Sequence, residues 1–141
     1  MVTAIDSISL KTSLLDGKEI AVIDPREEGQ YGHEHILLAV NVPLSRFELE
    51  IRDLVPRRAT RLILCDGDDG FSERALTKLE IAGYSDISIL DGGTRAWKEA
   101  GFELFSGRFT PSQMFGTFLS ERERTPHITA KNLKAKMDAG E

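Results

Sequence analysis

The segment Leu62-Ile63-Leu64-Cys65-Asp66-Gly67-Asp68-Asp69-Gly70-Phe71-Ser72-Glu73-Arg74-Ala75 decides the fold. A short apolar run gives way to a glycine-punctuated loop. A stretch follows in which Ala75, Leu76, Leu79 and Ala82 share one helical face, and Gly83 is a stop signal. The pattern predicts a strand, a tight loop and a helix over Phe71 to Ala82.

The same alternation runs outward in both directions. Upstream, Glu19-Ile20-Ala21-Val22-Ile23-Asp24 is a short apolar run closed by a carboxylate and Pro25, as expected of a parallel strand buried on both faces. Leu37 to Val42 is a second run, closed by Pro43. Phe47, Ile51 and Leu54 predict a helix within Leu44 to Leu54, ended by Pro56. Before these, Ser7 to Leu15 has partly helical spacing, with Ser7 as the expected N-cap and Asp16-Gly17 as the stop. Residues 26 to 34 predict a short helical turn. Downstream, Ile87-Ser88-Ile89-Leu90 predicts a strand, and Asp91-Gly92-Gly93 turns into a short helix over Thr94 to Ala100 that carries Trp97. Strands alternating with helices specify an α/β fold, mostly parallel, with helices flanking the sheet. Sites in such sheets form at the carboxyl ends of strands. The loop 66–70 lies at one.

At 141 residues the chain has room for one ordinary domain. Its formal net charge of −5 argues against nucleic acid or an anionic membrane as partner, because both need a clustered basic face. Arg57, Arg58 and Arg61 are too few to make one. No apolar run approaches the length of a membrane span, and residues 1–6 lack the pattern of a signal peptide. Cys65 is the single cysteine, so neither an internal disulfide nor a cysteine metal cluster can form. A cytoplasmic setting is the default expectation, and nothing calls for a cofactor or a metal.

The tail differs. Residues 105 to 128 are polar and broken by Gly107, Pro111 and Pro126, and they read as a linker with a helix expected over Ser112 to Leu119. Ile8-Ser9-Leu10-Lys11 through Asp16-Gly17 is echoed by Ile128-Thr129-Ala130-Lys131 through Asp138-Ala139-Gly140, with a difference of two residues in length. The echo raises the expectation that the chain is part of a longer tandem-repeat protein: residues 1–107 one domain, and 108–141 a linker and the opening helix of a following repeat.

Three stretches together resemble the rhodanese family, over roughly residues 5 to 105. One is Val22-Ile23-Asp24-Pro25-Arg26-Glu27-Glu28, then Tyr31, His35-Ile36, Ala39, Asn41, Val42 and Pro43, with Leu37-Leu38 where the family usually has Pro-Gly. The second and most specific is Leu90-Asp91-Gly92-Gly93-Thr94-Arg95-Ala96-Trp97. The third is the strand–loop–helix around Cys65. The resemblance implies a three-layer α/β fold and sulfane sulfur transfer. A cysteine thiolate attacks a donor such as thiosulfate, forms a persulfide, and passes the outer sulfur on. In the family, a loop of inward-pointing backbone N–H groups at a helix N-terminus lowers the cysteine pKa.

This chain departs from that pattern. The family motif is Cys, four loop residues, Arg, Ser, two residues, Ala. With Ser72-Glu73-Arg74-Ala75 as anchor, Phe71 takes the arginine position and Asp66 the cysteine position, leaving Cys65 one residue early. Side chains alternate along a strand, so Cys65 is expected to point away from the loop, as a small buried hydrophobe. Asp66, Asp68 and Asp69 would repel an anionic donor and raise a neighbouring thiol's pKa. The family includes domains with Asp at the cysteine position that are regarded as non-catalytic members of tandem proteins, and this chain resembles those. The active-site loop is thus Asp66, Gly67, Asp68, Asp69, Gly70 and Phe71. The alternative is a sulfurtransferase forming its persulfide on Cys65. Expected partners are a further rhodanese domain in the same polypeptide and, if the site is active, small sulfur-containing anions.

Other readings of these residues are weaker. A phosphatase Cys-X-X-X-X-X-Arg loop counted from Cys65 finds Phe71 in place of its arginine. A calcium loop opening at Asp66 would want glycine at Phe71 and glutamate at Thr77. His33 and His35 lack further ligands nearby, and His35 belongs with the first signature as a hydrogen-bonding residue. Asp24 and Arg26 are expected to make turn contacts, and Trp97 to lie in the core.

Overall fold

In a computed structural model the residues described are 3–108, 112, 115, 116, 119, 122–124 and 126–140. The chain separates into two units, Met1–Thr110 and Pro111–Glu141. In the first, five strands alternate with five helices: β1 (Thr3–Ile5), α1 (Ser7–Ser13), β2 (Ile20–Asp24), α2 (Glu28–His33), β3 (Ala39–Asn41), α3 (Phe47–Leu54), β4 (Arg61–Leu64), α4 (Phe71–Ile81), β5 (Ile87–Leu90) and α5 (Gly93–Glu99). In the second, α6 (Ala130–Asp138) is described, and of the helix expected over Ser112 to Leu119 the described residues 112, 115, 116 and 119 are helical while the other four lie outside the described residues. Among the described residues, no helix is long and apolar enough to cross a membrane.

The strands form one all-parallel sheet in the order β1-β5-β4-β2-β3. The two-residue alternation of β2 and β4 sorts the core into two layers. Ile23, Leu62 and Leu64 face α3 and α4, packing with Phe47, Ile51, Ala75 and Leu79. Val22, Ile63 and Cys65 face the other way, packing with Leu10 of α1, Tyr31 of α2, and Leu90 and Trp97. Burying both faces makes these strands continuous apolar runs, and that is why they were legible.

Three expectations needed correction. Asp6, not Ser7, caps α1: its carboxylate accepts the Ser9 N–H at 2.9 Å, while Ser7 is buried inside the first turn. The second run starts late, because Leu37 and Leu38 form a turn closed by the Ala39 N–H on the Ile36 carbonyl. Leu38 is consequently exposed. Finally, β1 is an additional strand at the sheet edge. Only Ile5 of its three residues is even partly buried, so it lacks an apolar run.

Candidate functional site: the loop after β4

The central strands β2 and β4 diverge in their onward connections, which opens a crevice at their carboxyl ends. Two segments meet there. After β2, Asp24 and Arg26 form a buried ion pair, with Nε donating to Oδ1 at 2.9 Å and Nη2 to Oδ2 at 2.6 Å. Nη2 also donates to the Glu34 carbonyl, and the Asn41 amide donates to the carbonyls of Asp24 and Arg26. The pair is thus a multiply bonded corner that fixes the path of the chain, which offsets the cost of burying the two charges.

After β4, Cys65 continues the strand. Its N–H donates to the Ile23 carbonyl at 3.0 Å, and its side chain is wholly buried among Val22, Ile63, Leu90 and Trp97. Burial pushes its thiol well above the ordinary range. The Asp24 carboxylate adds to this, Arg26 opposes it, and Asp66 adds again.

Asp66 turns to the opposite side, as alternation requires, and its carboxylate lies over the start of α4. Oδ1 accepts the Asp68 N–H at 2.9 Å and Oδ2 accepts the Ser72 N–H at 2.8 Å. An anionic side chain of the protein therefore takes up the backbone donors at the helix N-terminus, where charge and dipole favour it. The Asp66 carbonyl accepts the Thr94 N–H at 2.8 Å, which ties the loop to the start of α5.

That tie explains the double glycine. Gly93 has φ +58°, and a Cβ there would sit 2.4 Å from the Asp66 carbonyl oxygen and 2.9 Å from the Asp68 nitrogen. Only glycine lets the two loops approach this closely.

The remaining acidic groups lie outside. Asp68, at φ +64°, is paired with Arg95, and Asp69 accepts from the Gln30 amide. Desolvation raises the Asp69 carboxyl above its usual range, and the neighbouring Asp66 raises it further. A cleft of about 360 Å³ opens beside the loop, walled by Leu76, Ile89 and Leu90 and rimmed by Asp66, Asp68, Glu73 and Asp91. Phe71 fills the helix's first position and supplies no charge to the loop. An anion approaching this mouth meets carboxylates.

His35 is buried, with its ring stacked on Tyr31 at 3.8 Å and its Nδ1 donating to the Tyr31 carbonyl at 2.8 Å. Its backbone pairs with Phe105. His33 lies at the end of α2. Trp97 is buried and donates its indole N–H to the Glu103 carbonyl. Arg57 pairs with Glu19, Arg61 with Asp16, and Arg58 lies over the Tyr84 ring. Among the described residues, no three His, Cys, Asp or Glu side chains are grouped to hold a metal ion.

A parallel sheet covered on both faces, with a donor-rich loop between β4 and α4, defines a rhodanese-like α/β domain. The family model for the rhodanese-like domain matches residues 9–100, and the chain belongs to that family. It is similar to the thiosulfate sulfurtransferase of Pseudomonas aeruginosa, with 38% identity and a TM-score of 0.87, over 98% of this chain and 26% of that one. It is 33% identical to the uncharacterized protein slr1261 of Synechocystis sp. over 92 residues, which are 65% of this chain and 50% of that protein. The chain thus spans half of one relative and about a quarter of the other. The 3-mercaptopyruvate sulfotransferase SseA of Escherichia coli shares the fold at 22% identity and a TM-score of 0.64, over 78% of this chain and 54% of that one.

Proposed function

We propose that this domain is a non-catalytic rhodanese-like module of a sulfurtransferase, working beside a further rhodanese domain in the same polypeptide. The observation that carries the reading is the Asp66 carboxylate seated on the Asp68 and Ser72 N–H groups, the donors that would otherwise stabilise a thiolate or persulfide. Cys65 supports it from the other side. Its thiol is enclosed by apolar side chains, and the thiolate that sulfur transfer requires is disfavoured there. The acidic rim of the cleft supports it a third time, being repulsive to thiosulfate.

The tandem arrangement draws support from the Pseudomonas enzyme, a sulfurtransferase of which a span matching 98% of this chain makes up 26%. The role left to this domain is structural: stabilising, orienting or docking a catalytic neighbour. The test is thiosulfate-to-cyanide sulfur transfer by this chain beside Cys65→Ser. Absence of turnover is expected in both, and turnover abolished by the serine change would establish the alternative, a persulfide enzyme on Cys65.

A further inference from the structure

Helix α6 carries the N-terminal signature of α1. The N-cap of α1 is Asp6, whose side chain accepts the Ser9 N–H; the N-cap of α6 is Thr129, whose side chain accepts the Asn132 N–H. Setting the two caps in register gives a spacing of 123 residues (129 − 6), and no gap is needed. The two-residue length difference of the sequence echo disappears. Gly17 then falls on Gly140, both with left-handed φ, at +72° and +77°, although α1 ends at Ser13 and α6 runs two residues further in this register, to Asp138.

In the same register, Ile5, Leu10 and Leu14 coincide with Ile128, Leu133 and Met137. The first three are the residues by which β1 and α1 join the core: Leu10 is fully buried and Ile5 and Leu14 pack beside it. Their counterparts stand out at 46%, 48% and 69% exposure. The buried Ser7 meets the small Ala130, and the exposed Ile8, Ser9, Lys11 and Leu15 meet Lys131, Asn132, Lys134 and Asp138. Inward positions are apolar or small in both helices, and the outward positions of α6 are polar except Ala135, which stands at the place of the exposed Thr12.

We propose that residues 128–140 are the β1–α1 element of a second rhodanese-like unit, and that Ile128, Leu133 and Met137 form a docking stripe. Its occupant is a sheet face of the kind that Leu10 fills, an apolar depression lined by residues like Val22, Ile36, Ile63 and Trp97. The identity of that partner rests on the tandem reading above, and the register of α6 stands apart from it. The match with the Pseudomonas enzyme covers nearly the whole chain, tail included, within a polypeptide about four times as long, so that enzyme has chain beyond the matched span that could supply such a partner. A charged or nucleic-acid surface is a poor occupant, since the stripe is apolar and one helix wide.

The test exploits the depression already in hand. In the full chain, residues 5–17 are replaced by the sequence of residues 128–140. Two controls receive residues 127–139 or 129–141 instead, which rotates the apolar stripe by about 100°. The in-register chimera is expected to unfold cooperatively with a Tm within about 10 °C of wild type, and both shifted chimeras to lose more than about 20 °C or show no transition. If all three melt alike, whether folded or unfolded, α6 is not the counterpart of α1 and the proposal falls. That outcome leaves the catalytic question untouched, because sulfur transfer is read separately.

Discussion

Asp66 and Ser72 stand six residues apart, and the carboxylate of the first receives the N–H of the second at 2.8 Å across the loop that joins β4 to α4. Because Asp66 Oδ1 also holds the Asp68 N–H, one side chain organises the loop and caps the helix. Replacing it strands two donors beside a buried segment. Asp66→Ala is expected to lower stability by about 1–2 kcal/mol in chemical denaturation, the cost of losing a helix cap. Unchanged stability would mean the carboxylate does not hold the loop.

The same geometry predicts what a thiol would do at position 66. In a Cys65→Ala background, Asp66→Cys places sulfur against the Ser72 and Asp68 donors at a helix N-terminus, an environment that favours thiolate. Iodoacetamide is expected to alkylate it about 100-fold faster than it alkylates Cys65 in the native wild-type chain. Equal rates would show that the loop does not cradle an anion.

Gly93 is fixed by contact rather than by composition. Gly93→Ala drives a methyl group into the Asp66 carbonyl at a left-handed φ. It is expected to cost about 2 kcal/mol or more and to lower Tm by roughly 10 °C, measured by circular dichroism. Gly17→Ala, at a similar φ with open space around it, is expected to cost less.

Burial lowers the His35 pKa below 6.5, with the Tyr31 carbonyl only partly restoring it. The folded state therefore binds fewer protons at His35 than the unfolded state does. The resulting stability is fully present above pH 6.5 and is lost as pH falls through 6.5 toward the folded pKa. His35→Asn, which can keep a donor near the Tyr31 carbonyl, is expected to flatten the fall in denaturation free energy between pH 8 and 5. An identical slope in both proteins would remove His35 as its source.

Much of this was legible in the sequence because parallel strands buried on both faces announce themselves as apolar runs, as β2 and β4 do. Counting back from Ser72 along the rhodanese loop pattern puts Asp66 at the cysteine position, where the structure finds its carboxylate on the Ser72 N–H. Other features carried no such signal. The edge strand β1 has one partly buried residue, so no periodicity marks it. Asp6 and Ser7 are both good caps by type, and the choice depends on Ser7 facing the core. The Asp24–Arg26 turn contact, expected from its place at the strand end, is present as a buried ion pair, whereas the Gly93 approach to Asp66 joins residues by tertiary contact, which composition cannot encode.

The proposal that Cys65 carries no sulfur is tested most directly by the intact mass of the native chain after incubation with excess thiosulfate. The expected result is an unmodified chain, with Cys65 becoming alkylatable only on unfolding. A gain of one sulfur atom that maps to Cys65 and is discharged by cyanide would contradict the account and make this domain an enzyme.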